Sequence, residues 1–142
     1  MTTVPTGKRR AILVVDDEQK VLSLFLEILA AENAEMLAAQ SGAEALAIAR
    51  QTPLDLVILD VKLPDVSGTE VLRCLRELDD SVPVIMVTSY GSADDVRTSM
   101  RLGAFDYLTK PFYNEEIRRV AREALRARTC RAIPSVASRG SA

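Results

Sequence analysis

The chain has 142 residues, 48% of them hydrophobic, with a formal net charge of −2, which suits one domain with an aliphatic core that needs no staple. That charge creates no overall field to recruit nucleic acid or acidic membranes. The complete absence of histidine excludes a Ser-His-Asp triad, His-ligated zinc and a phosphohistidine carried by this chain.

Residues 1–8 are Thr- and Pro-rich and are expected to be disordered. Ala11 to Val15 reads as a first buried strand ending in Asp16-Asp17-Glu18. Its apolar run is too short for the core of a signal peptide, and no window of the chain is long enough to span a bilayer. Val21, Leu22, Phe25, Ile28 and Leu29 recur at helical spacing, with Asn33 as a stop signal. Ala34 to Ala39 is a weaker strand. Ser41 with Glu44 makes a capping box for a helix through Arg50. Leu54 to Leu59 is a third strand and meets Asp60, after which Pro64 and Gly68 mark a loop. Ser67 to Leu78 is a third helix with Val71, Leu72, Leu75 and Leu78 on one face. Cys74 falls in that helix, where a buried free thiol is expected; with Cys130 it forms no disulfide framework or metal spacing, and reduced cysteines suit a cytoplasmic protein. Pro83 to Val87 is a fourth strand ending at Thr88-Ser89. Ser92 with Asp95 opens a fourth helix that stops at Gly103. Asp106 to Thr109 is a short fifth strand, followed by Lys110-Pro111 and a helix from about Tyr113 to Arg128. Residues 129–142, rich in Ser, Ala and Arg, read as a flexible tail. One domain, 9–128, accounts for the rest.

Strands alternating with helices imply an α/β doubly wound fold, a five-stranded parallel sheet with helices on both faces. The natural strand order is the flavodoxin-like 2-1-3-4-5, whose switch point lies between strands 1 and 3. Those strands end in Asp16-Asp17 and in Asp60, so the three carboxylates meet in the crevice where such sheets bind ligands. A lone Asp at a strand end can simply cap the next turn, and the cluster could be balanced by Lys110 and Lys62 alone. Three acids at such range repel unless something positive intervenes. A hard divalent cation is the favoured partner: magnesium prefers oxygen ligands and often binds through one or two carboxylates plus a phosphate, and manganese could replace it. Thr88 and Lys110 open on the same edge. A carboxylate nucleophile, a magnesium ion, a hydroxyl and an ammonium together suit phosphoryl transfer to Asp60.

These residues resemble a known family. Val14-Val15-Asp16-Asp17-Glu18, Leu59-Asp60 with Pro64 and Gly68, Val87-Thr88-Ser89, and Asp106-Tyr107-Leu108-Thr109-Lys110-Pro111-Phe112 look like the receiver domain of bacterial two-component response regulators. The resemblance covers roughly 9–128, and Arg101 to Phe112 looks most like receivers of the nitrogen-regulation type. It implies that Asp60 accepts a phosphoryl group from a sensor histidine kinase or phosphotransfer protein. Asp17, Asp60 and the Lys62 backbone carbonyl would ligate magnesium, with Asp16 acting largely through water. Lys110 would pair with the phosphoryl oxygens, and the Lys110-Pro111 bond would be cis. Thr88 and Tyr107 would form the switch. Phosphorylation would alter the surface of helix 4, strand 5 and helix 5, controlling a downstream effector or a homodimer. The chain would then be no enzyme beyond its own phosphorylation and dephosphorylation. Lys62 and Tyr90 occupy positions that tune how water reaches the phosphoaspartate in this family; a long cation and an aromatic there are expected to slow its loss.

Two departures from the family pattern, Leu63 before Pro64 and Ser67 before Gly68, are expected to matter little. The alternative is a receiver-like module that works without phosphorylation, and the joint presence of Asp16, Asp17, Asp60, Thr88 and Lys110 argues against it. A haloacid-dehalogenase-type enzyme would want an Asp where Lys62 stands. No phosphate-binding glycine loop supports a nucleotide, and no recognition element supports direct DNA binding.

Overall fold

A computed structural model describes residues 10–89 and 93–132, the side chains of 129–132 excepted. Five parallel strands, β1 (Arg10–Val15), β2 (Ala34–Ala39), β3 (Leu56–Asp60), β4 (Val84–Thr88) and β5 (Asp106–Thr109), form one sheet in the order β2-β1-β3-β4-β5. Five helices join them: α1 (Gln19–Ile28), α2 (Gly42–Gln51), α3 (Gly68–Leu78), α4 (Ala93–Arg101) and α5 (Asn114–Ala132). This is the flavodoxin-like doubly wound arrangement that the alternation of elements implies.

The sheet is buried because alternate residues of each strand face opposite layers. Ile12, Val14, Ile58, Ile85 and Val87 pack against Leu22, Phe25, Ile28, Val120 and Ala124 of α1 and α5. Leu13, Val15, Val57, Leu59 and Met86 pack against Ala45, Val71, Leu72 and Leu75 of α2 and α3. The central strands β3 and β4 are therefore apolar on both faces and closed to solvent along their whole length. Edge strand β2 is buried only at its two ends, which is why its sequence is weaker in β-branched residues.

Helix ends follow local chemistry. α1 gives way to a single 3-10 turn, Ala30–Glu32, and Asn33 ends it in the left-handed conformation at φ 55°. Gly103, at φ 95°, turns the chain after α4. The Ser41 hydroxyl accepts the Glu44 amide at 3.1 Å, but the Glu44 carboxylate accepts from Gln40, one residue before the capping box would have it.

Three expectations need correction. Leu78, the last residue of α3, is 47% exposed and does not join Val71, Leu72 and Leu75 in the core. Cys74 is half-buried, on the flank of the apolar stripe rather than within it. α5 runs to Ala132, past Arg128 and into the stretch read as tail. Residues 1–9, Tyr90 to Ser92 and 133–142, with the expectations placed on them, lie outside the described residues. Among the described residues no helix is long and apolar enough to cross a membrane.

Candidate functional site

Strand register delivers the site. Val15 is level with Leu59, and the Asp16 amide donates to the Ala39 carbonyl at 3.0 Å, extending the ladder one residue beyond β1. Asp16 thus lies beside Asp60, the last residue of β3. Asp60 is level with Val87, and Thr88 with Thr109, so Thr88 and Lys110 sit one step further along the same edge. The Lys110 amide donates to the Thr88 carbonyl at 2.8 Å. The Lys110–Pro111 peptide is cis.

Asp16 and Asp60 are 2% and 7% exposed, which is unusual for charged groups and demands compensation. The Lys110 ammonium supplies part of it, donating to Asp16 Oδ2 at 2.8 Å and to Asp60 Oδ2 at 3.4 Å. Backbone amides supply more: Glu18 donates to Asp16 Oδ1 at 2.9 Å and Lys62 to Asp60 Oδ1 at 3.1 Å. Asp17 is exposed, yet one oxygen from each of Asp16, Asp17 and Asp60 lies within 4.8 Å of the others. Burial pushes the Asp60 carboxyl above the ordinary aspartate value; the Lys62 amide and Lys110 pull it back only in part, and Asp16 pushes it further up. Burial also opposes the charge on Lys110, but the two carboxylates outweigh it and hold the lysine above its usual value.

All five expected residues are brought to one edge: Asp16, Asp17, Asp60, Thr88 and Lys110. Thr88 is buried at the end of β4. Tyr107 lies half-buried on β5; its hydroxyl is enclosed and makes no hydrogen bond among the described residues. Burial, then Asp95 and Asp60, raise its pKa. The Lys62 side chain is exposed. On the α4–β5–α5 face several charges are used locally, with Arg97 paired to Asp94 at 3.0 Å and Arg118 to Glu115 at 3.2 Å.

The sequence reading used Gly68 as a loop marker and as part of the family motif, and the structure gives it a sharper role. A Cβ there would stand 2.1 Å from the Asp60 carbonyl oxygen, so only glycine lets α3 start against the end of β3. The Phe112 ring, 5.2 Å from that of Phe25, seats the loop after Lys110 on α1. No signal short of the folded contacts reveals that pairing.

Hard oxygen donors clustered around a surplus of negative charge fit a magnesium ion. The model of the response regulator receiver domain matches residues 12–122. The transcriptional regulatory protein YkoG of Bacillus subtilis is 43% identical over 115 residues, 81% of this chain and 50% of that protein. Sporulation initiation phosphotransferase F of the same organism is 36% identical over 114 residues, 80% of this chain and 92% of that protein. A CheY-like receiver domain protein from Methanospirillum hungatei superposes with a TM-score of 0.83 at 32% identity, covering 86% of this chain and 98% of that one. The chain thus spans about half the length of YkoG and most of the length of the phosphotransferase.

Proposed function

The chain belongs to the response regulator receiver family, and on that premise we propose that Asp60 is a magnesium-dependent phosphoryl acceptor. The observation that carries this is the buried Asp60 carboxylate at the end of β3, 3.4 Å from the Lys110 ammonium and inside the acidic cluster. An Asp60 oxygen attacks the phosphorus of a phosphohistidine on a sensor kinase or phosphotransfer protein. The P–N bond breaks, its electron pair stays on the imidazole, and an acyl phosphate forms on Asp60. Asp17, Asp60 and the Lys62 carbonyl would hold magnesium (or manganese), with Asp16 acting through water. When bound, the ion neutralises charge on the acceptor and on the phosphoryl oxygens. Lys110 stabilises the charge that develops on those oxygens.

The new group adds about −1.5 to −2 charge and three acceptor oxygens. Thr88 donates to one of them and Tyr107 follows, biasing the α4–β5–α5 face towards an effector or a second copy of the chain. The chain catalyses only its own phosphorylation and dephosphorylation, and acts in the cytoplasm without binding nucleic acid directly. Lys62 and Tyr90 shield the acyl phosphate from water. If Lys62→Ala and Tyr90→Ala both leave its decay rate unchanged, that shielding role is wrong.

Intact-protein mass after incubation with acetyl phosphate tests the reading. A gain of one phosphoryl group that requires magnesium supports it. No gain under any condition, with the protein folded, points to the phosphorylation-independent module.

A further inference from the structure

The loop from Val61 to Gly68 leaves the site, turns at Pro64 and returns to begin α3. It closes on itself through a Lys62–Ser67 bridge and a hydrogen bond of 2.6 Å from the Gly68 amide to the Val61 carbonyl. Its tip, Pro64 to Ser67, is exposed but tied down. The Asp65 carboxylate reaches another element, accepting the amide of Gly42 at Oδ1 and that of Ala43 at Oδ2, both at 2.9 Å. Those are the first amides of α2, which have no partner within the helix. Ser41 takes the Glu44 amide, and the Ala45 amide starts the helical ladder on the Ser41 carbonyl. Every amide of that first turn is therefore satisfied, two of them by an acid from the acceptor loop.

The contact is built on both sides. A Cβ at position 42 would stand 2.5 Å from Val66 Cγ2 and 2.9 Å from Val71 Cγ2, so Gly42 lets the helix end approach the loop. A carboxylate also suits the positive end of a helix. The Gly42 and Ala43 amides hold the Asp65 carboxyl below its ordinary value, so it is fully charged at neutral pH.

We propose that Asp65 is a positioning residue for phosphoryl acceptance: docked on α2, it anchors the loop tip and so keeps the Lys62 peptide, whose amide meets Asp60 at 3.1 Å, in the geometry that binds the metal. This rests on the reading of the site as a magnesium-dependent acceptor. Asp65 touches neither metal nor phosphoryl group; it acts through the loop.

The test is a magnesium titration of the full chain, followed by calorimetry and by the amide NMR shifts of residues 60–68. Asp65→Ala is expected to weaken magnesium binding about tenfold, in the manner of other groups that orient metal ligands. Asp65→Asn keeps an oxygen acceptor and should fall between it and wild type. Ser41→Ala removes a cap from the same helix end without touching the loop and should leave the affinity unchanged. Wild-type affinity in both Asp65 variants overturns the proposal, as does an equal loss in Ser41→Ala, which would reduce Asp65 to a helix stabiliser. A wild-type chain that binds no magnesium overturns the acceptor reading itself and takes this proposal with it.

Discussion

Strand β3 begins after one aspartate and ends in another, and the two ends of the sheet treat them differently. At the amino end, Asp55 accepts the Ala11 amide at 2.9 Å, and Asp79 accepts the amide and hydroxyl of Ser81 at 2.9 and 2.7 Å. The Arg128 guanidinium joins the two acids, at 3.2 Å from Asp79 and 3.7 Å from Asp55, while also donating to the Leu54 carbonyl and the Ser81 hydroxyl. Partial burial pushes Asp79 up, but Ser81 and Arg128 outweigh it and hold the carboxyl below the ordinary value. At the carboxyl end, the Lys110 ammonium faces Asp16 and Asp60 with Asp17 close by, and Asp60 is pushed up instead. Both ends pair acids with a cation. One is a planar fork whose neighbours complete each other; the other is a point charge among surplus acids. The first ties α5 to the segments that lead into β3 and β4. The second is left with charge that a cation and a phosphoryl group can use.

Breaking each cluster separates these roles. Asp60→Asn is expected to abolish phosphoryl uptake from acetyl phosphate, whereas Asp79→Asn leaves it at the wild-type level, as read by intact mass. Lys110→Ala should slow uptake about a hundredfold, the usual cost of one donor to developing oxyanion charge. Arg128→Ala should leave the rate untouched and lower stability by about 1–2 kcal/mol in urea melts, because its partners are partly wet. Gly68→Ala should cost about 1–3 kcal/mol, since the Asp60 backbone must move to admit the methyl group.

The smallest effects carry opposite signs. Asp60 ionises with difficulty in the fold, so its charge costs stability at neutral pH; Asp60→Asn should raise the melting temperature of the metal-free protein. Asp79 ionises more easily in the fold than out of it. Its contribution is complete above the unfolded value of 3.8 and is lost as pH falls through the lower folded value. Asp79→Asn should therefore lower stability by roughly 0.5–1 kcal/mol at neutral pH, and the gap to wild type should close in strong acid. Melts from neutral to acid pH check both signs.

The contrast also marks what a sequence reveals. Leu56 to Leu59 is apolar at every position, so a doubly buried strand and the place of Asp60 at its end follow directly. The order of strands follows from alternation and handedness, and it puts Asp16, Asp17, Thr88 and Lys110 on the same edge before any coordinate is known. Asn33 and Gly103 end their elements by a conformational preference written in the residue itself. The clamp at the other end was invisible for the opposite reason. Arg128 meets partners 49 and 74 positions away, none with a periodicity or motif to announce it. The role of Asp65 has no sign in the sequence, because its bonds to Gly42 and Ala43 exist only once the strands pair and bring α2 beside the loop. The last turn of α5 was missed because Thr129 to Ala132 continues the helix without an apolar stripe to signal it.

The most direct test of the proposed acceptor role of Asp60 is to locate the phosphoryl group. After incubation with acetyl phosphate and magnesium, borohydride reduces an aspartyl phosphate to homoserine, with release of the phosphate, and peptide mass spectrometry finds the altered position. The account predicts homoserine at position 60, dependent on both magnesium and phosphodonor. Homoserine at position 16, 17 or 79, or none with the protein folded, would contradict it.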